Sequence, residues 1–150
     1  MEDYEFVNGI VDEVLSRLNA NKTELGGILA VTEKDEHPAF IDNPPEIFVL
    51  PIGVGEDKMY SVMGEDHNYH TFPIEIIGAY RYLDNTAIAD GLRPTRNYGF
   101  ICNALFSGDN SVLTANAVVV GSTLKVYYWQ VADYVAHSFR LTINIKAINT

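Results

Sequence analysis

The feature that most restricts the fold is the alternation across Tyr134 to Ala147. His137, Phe139, Leu141, Ile143 and Ile145 recur at every second position, with Ala136, Ser138, Arg140, Thr142, Asn144 and Lys146 between them. Successive side chains of a strand point to opposite faces, so this period predicts a long strand with one face packed and one wet, as in an antiparallel sheet. Two further strands are predicted just before it, Asn116 to Val120 and Thr123 to Val131, joined through Gly121 with Ser122 and through Ala132 with Asp133. Short polar or glycine joints between apolar runs mark hairpins, and the last third of the chain reads as a meander.

A period near 3.6 governs the other end. Phe6, Val7, Ile10, Val11, Val14, Leu15 and Leu18 recur at spacings of three and four, between Asn8, Asp12, Glu13, Ser16 and Arg17. That pattern predicts an amphipathic helix, with Asp3 placed to cap its first amides and Asn19 and Asn21 placed to close its last turn. Burying its apolar side chains is worth on the order of 10 kcal/mol before entropy is charged, yet an isolated helix of this length is marginal in water. It needs a sheet to lie on.

Between these ends the signals vary in strength. Ile28 to Val31 is a short apolar run compatible with a strand or with the edge of the helix layer, and Thr32 to Pro38 reads as a charged loop. Asn43, Pro44 and Pro45 deliver an extended chain into a strand at Glu46 to Ile52, whose Pro51 suggests an exposed edge. Gly53 to Tyr69 is rich in Gly, Asp, Glu and His, which predicts a long polar arm or irregular hairpin at about 53–70, strand-like only at Met59 to Met63. Phe72 to Tyr82 alternates, and Ile77 and Ala79 on its second face predict a central strand covered on both sides. Asp84 to Gly91 reads as a turn, followed by a helix with Pro94 in its first turn and Tyr98, Ile101, Cys102, Leu105 and Phe106 on one face. Together these elements predict an α+β, two-layer domain over residues 1–150, a mainly antiparallel sheet with two helices packed on one face.

Composition removes several functions. Twenty acidic and ten basic residues give a formal charge of −10, and the Lys and Arg are scattered. Counterion-release binding of nucleic acid needs a concentrated basic patch, so a tight grip on DNA is disfavoured, while an acidic wall would let DNA slide past. No apolar stretch approaches the ~20 residues of a membrane span, and Met1 to Glu5 is acidic where a signal peptide would be basic, so no membrane association and synthesis in the cytoplasm are expected. Cys102 is the single cysteine and cannot form an intramolecular disulfide.

Residues in catalytic arrangements are scarce in the chain. Glu65, Asp66, His67 and His70 are the densest group of potential metal ligands, but a zinc site wants three or four in defined geometry, and a solvated loop is the simpler reading. His137 alternates inward with Phe139 and reads as a core histidine. Cys102 lies in an apolar stripe with nothing to lower its pKa. Gly53, Gly55 and Gly64 match no phosphate-binding spacing, and no Gly-x-Ser-x-Gly elbow is present. Tyr127, Tyr128, Trp129 and Tyr134 lack the flanking cations of a base-stacking platform and read better as a strand that meets another protein. No catalytic residue, cofactor or metal is assigned, and no enzymatic activity is expected.

The order of elements then acquires meaning. VNGIVDEVLSRL as first helix, PPEIFVLPIG as the strand after a loop, HTFPIEIIGAYRYL as the long strand, NYGFICNALF as second helix and YVAHSFRLTINIKA as last strand follow one another around a polar excursion. That layout resembles the bacteriophage tail terminator family of lambda-like and other long-tailed phages. The resemblance implies a structural virion protein of the head-tail joint, a homo-oligomeric ring, hexameric in that family. Such a ring caps the tail tube, stops its polymerisation and docks to the head connector or a neck protein. The implied partners are further copies of the chain, the tube protein, the connector and a sheath protein where one exists, with DNA passing through unbound. The Asn21 to Asp42 connection is longer than the simplest version of that layout.

A closed ring needs two different surfaces per subunit, expected here on exposed sheet edges and on the polar arm. Glu56, Asp57, Lys58, Met59, Glu65, Asp66 and His67 of the arm, with Tyr127 and Trp129, are the expected interface residues. Two other readings compete: another neck or head-completion protein, and a small metal- or ligand-binding enzyme domain built on Asp66, His67 and His70.

Overall fold

The alternating carboxy-terminal segment forms β7 (Tyr134–Asn149), clamped between two other long strands, β4 (Asn68–Tyr82) and β6 (Ala117–Val131). The computed structural model describes residues 3–38, 44–51, 60–61, 68–82, 88–131 and 134–149. The remaining elements are α1 (Asp3–Ala20), β1 (Ala30–Glu33), β2 (Glu46–Leu50), β3 (Tyr60–Ser61), α2 (Ile88–Ala104) and β5 (Val112–Thr114). In space the strands run β1-β2-β4-β7-β6-β5, with β3 paired to the start of β4. The β1/β2 pair is parallel and the other pairs are antiparallel. The result is an α+β fold, two helices packed against a curled, mostly antiparallel sheet.

One core explains why the helices share a face. Phe6, Ile10, Val14 and Leu18 of α1 and Cys102 of α2 meet Ile47 and Val49 of β2, Phe72, Ile74 and Ile76 of β4, and Phe139, Leu141, Ile143 and Ile145 of β7. The stripe predicted for α1 is the one that is buried. Its far end closes as expected, with the Asn19 and Asn21 amides donating to the Leu15 and Arg17 carbonyls at 3.0 and 2.8 Å. Helix α1 approaches both β1 and β5, opposite ends of the strand order, so the sheet curls around it.

The other sheet face is partly covered as well. Phe48, Leu50, Ile77, Ala79 and Ala136 form a second buried cluster there, as Ile77 and Ala79 foretold. The alternate face of β7 is therefore wet only toward Asn144 and Lys146, because Ala136 and Ser138 are fully buried beside β4.

Four boundaries shift, each for a non-local reason. Thr32 and Glu33 are not loop but the end of β1, which lies in parallel register with β2 through Val31↔Ile47 and Thr32↔Phe48. Strand β2 stops at Leu50, so Pro51 lies outside it, and β2 is interior rather than an edge. Helix α2 begins before the predicted turn ends, which leaves Pro94 inside the helix. Its buried face is small, Gly91, Thr95, Gly99 and Cys102, and the Thr95 hydroxyl donates to the Gly91 carbonyl at 2.8 Å. That face lets α2 lie close to the sheet: a Cβ on Gly99 would sit 2.8 Å from Leu124. Consequently Ile101, expected inside, is exposed along with Phe100.

The fourth shift concerns Gly121 and Ser122, which make no turn. They lie within the continuous β6, where the register with β7 slips between Val119↔Ile145 and Gly121↔Asn144. Val120 is the extra residue of a bulge, a common fate of an interior strand glycine. Before the bulge Ala117 and Val119 pack on the core, and after it Leu124 and Val126 do. The slip changes the inward positions from odd to even. The hairpin turn that the sequence put here lies instead at Ala115 and Asn116, between β5 and β6.

Candidate functional site

Two features stand out on the described surface, both on or beside β6. The first is a polar cluster on the sheet face away from the helices. Glu75 of β4 stands between Leu50 and Thr142 in the register. Its Oε2 lies 2.7 Å from His37 Nε2, and its Oε1 lies 4.0 Å from Arg140 Nε. The Arg140 guanidinium sits 5.6 Å from the Tyr127 ring centre, within cation–π range. Burial pushes the Tyr127 phenol above its ordinary value, opposed chiefly by the positive charge of Arg140.

Beyond this chain of contacts lies an open trough of about 310 Å³, lined by Glu75, Thr123, Lys125, Arg140, Thr142 and Asn144. It offers two cations, one carboxylate and neutral hydroxyl and amide groups. Among the described residues no three His, Cys, Asp or Glu side chains come together in a way that could hold a metal ion. Cys102 is fully buried and its thiol is pushed far up by desolvation, which suits a core side chain and leaves no reactive thiolate.

The second feature is the outer edge of β6. Strand β5 pairs with it only at Ala117 and Val118, and the Val119 amide still reaches the Ser111 carbonyl at 2.8 Å. From Val120 to Val131 no described strand pairs with that edge. Exposure agrees, since Val120, Gly121, Ser122, Thr123, Lys125 and Tyr128 are all exposed. Val120 and Tyr128 are large apolar side chains more than half exposed, at 58% and 52%, as is Phe100 of α2 at 58%. Phe100 lies one helical turn from Asn103, whose Oδ1 accepts from the Ser122 hydroxyl at 2.8 Å, so it flanks the same edge.

Of the expected interface residues, the structure describes two. Tyr127 points to the face away from the helices and is half-buried against Arg140. Trp129 lies two positions further along β6, opposite Ala136. Glu56, Asp57, Lys58, Met59, Glu65, Asp66 and His67 fall outside the described residues. Of the arm expected at about 53–70, the described residues pair Tyr60 with Tyr69 and Ser61 with Asn68, and Asn68, Tyr69 and His70 belong to β4 rather than to a loop. His70 belongs to β4, opposite Ala147.

Sequence reasoning missed His37, Glu75 and Arg140 as parts of these surfaces, and it pointed to Tyr128 only through the aromatic cluster that reads as a strand meeting another protein. Glu75 carried a signal, an acid on the mostly apolar second face of a central strand. His37 carried none, because only the fold brings it to Glu75. No described helix is long and apolar enough to cross a membrane. No known protein-family model matches the chain, and no curated protein matches it.

Proposed function

We propose that the protein is a structural component of a phage head-tail joint, a tail terminator that closes into a ring of about six copies on the end of the tail tube. The observation that supports it best is the open edge of β6. A long sheet edge that no described strand covers, with exposed Val120 and Tyr128, is a liability in a monomer and an asset in an assembly. The acidic balance of the chain suits a ring through which DNA passes without adhering. Function then lies in stopping growth: one surface matches the last tube ring, and the other refuses a further tube subunit.

The test has two parts. Native mass measurement of the purified protein should give a closed species of about six copies. Added to polymerising tail tube protein, it should shorten the tubes and appear only at their ends. A protein that stays monomeric at high concentration and leaves tube length unchanged would sink the reading.

A further inference from the structure

We infer that the open edge of β6 receives strand β1 of a second copy, antiparallel, so that one continuous sheet runs from subunit to subunit. This rests on the ring reading and adds to it the surfaces that meet. The two strands occupy the same rows of the sheet. Following the register across, Val31 lies level with Ile47, Gly78, Phe139 and Val126, and Thr32 lies level with Phe48, Ile77, Arg140 and Lys125. In a closed ring each neighbour is a rotated copy, which for a sheet continuing sideways keeps strand direction. Strand β1 runs with β2 and β7, and β6 runs against β7, so the arriving β1 is antiparallel to β6.

Side-chain chemistry agrees in the two middle rows, while the outer rows set Glu33 level with Leu124 and Ala30 level with Tyr127. On the helix face, Val31 would meet Leu124 and Val126, all three half-buried and packed on their own core. On the other face the exposed Thr32 would meet exposed Thr123 and Lys125. Exposed apolar side chains stand at both edges: Leu29, 62% exposed, leads into β1, while Val120, Tyr128 and Phe100 border β6. Charge selects the partner. Lys125 is the one charged residue of β6, and it stands directly opposite Arg140. Pairing β6 with β6 of another copy would bring two such cation pairs together, and like charges facing across strands are unfavourable. The segment Glu33 to Glu36 has three acids and one lysine, all exposed, which complements it.

Site-specific cross-linking tests the pairing. One protein carries Thr32→Cys, and separate proteins carry Thr123→Cys, Lys125→Cys or Tyr127→Cys, positions that cover small staggers of the joint. The buried native Cys102 stays silent. Each variant is first shown to fold by circular dichroism, then mixed with the Thr32→Cys protein, allowed to exchange subunits and oxidised. At least one mixture should give a covalent dimer absent from either protein alone. Oligomers without any mixed cross-link would overturn the pairing and leave the ring reading standing. A cross-link of Lys125→Cys with itself would replace this pairing with a two-fold one. A monomer under all conditions would overturn both.

Discussion

Gly78 of β4 lies directly beneath the ring of Phe139 of β7, its register partner, so closely that a Cβ on Gly78 would sit 2.1 Å from the ring. Phe139 is fully buried and tilted against Tyr80 at 6.2 Å, and Tyr80 in turn stacks on Tyr98 of α2 at 4.9 Å. The Tyr80 hydroxyl donates to the Leu25 carbonyl at 2.5 Å, which ties the turn after α1 to the sheet. One absent side chain in the middle of β4 thus makes room for the aromatic layer that seats both helices.

Gly78→Ala should therefore destabilise the protein although alanine suits a strand better than glycine. The ring is fully buried and would have to shift, and overpacking of this kind costs about 1–3 kcal/mol. Urea unfolding should show the midpoint falling with an unchanged slope. A midpoint equal to that of the parent would mean that the Phe139 ring relocates freely.

Arg17 should matter more than its place on a helix surface suggests. Its guanidinium donates to three carbonyls, Leu105 at 2.8 Å, Asn110 at 2.5 Å and Val112 at 2.8 Å, and lies 5.7 Å from the Phe106 ring centre. It ties α1 to the end of α2 and to β5. Arg17→Met should cost about 2–3 kcal/mol, since hydrogen bonds to charged groups are worth more than neutral ones. Glu13→Gln removes only the i,i+4 pair at 2.9 Å, part-exposed, and should cost no more than about 0.5 kcal/mol. Equal losses in the two variants would refute this division.

Deleting Val120 should be tolerated, whereas deleting Thr123 should not. Val120 is the surplus residue, and without it Val119↔Ile145 and Gly121↔Asn144 follow without a slip, so every inward side chain stays inward. Removing Thr123 leaves the bulge and turns one half of β6 inside out relative to β7. Near-ultraviolet circular dichroism should be native for the first variant and collapsed for the second.

Stability should decline above pH 10 by an amount that depends on Tyr127. The phenol is raised in the folded state, chiefly by burial, from an ordinary value of 10.0. The folded protein thus holds its proton where the unfolded chain has lost it. The contribution is complete below the ordinary value and is lost as pH rises through the raised one. Tyr127→Phe should show a shallower fall in unfolding free energy between pH 9 and 11 (roughly the span on either side of an ordinary tyrosine pKa). Parallel pH profiles for the two proteins would remove the assignment.

Cys102 should resist a soluble aromatic disulfide reagent in the folded protein and react promptly in denaturant. The thiol is fully buried, and desolvation holds it protonated. Its labelling rate in water should track the rate of unfolding; rapid labelling without unfolding would show that solvent reaches the face between α2 and the sheet.

Much of this architecture was written in local pattern. The alternation of β7 and β4 and the stripe of α1 announce themselves because each residue's direction follows from chain geometry, and the core must lie where the apolar side chains point. Even the double covering of β4 was visible in Ile77 and Ala79. The candidate surfaces were legible only in part: Tyr127 could be named from its aromatic neighbourhood, but not its contact with Arg140, nor the approach of His37 to Glu75.

What remained was decided by partners far away in the chain. Strand β1 exists because β2 offers it a parallel edge, and α2 runs through Pro94 because Gly91, Thr95 and Gly99 let it settle closely on Leu124 and Phe139. A bulge at Val120 took the place of a turn at Gly121 because the apolar residues on both sides had to face the same core against one continuous β7. Local sequence sets which way a side chain can point. Which strand edge stays open depends on how many neighbours reach it, and that is a property of the folded sheet alone.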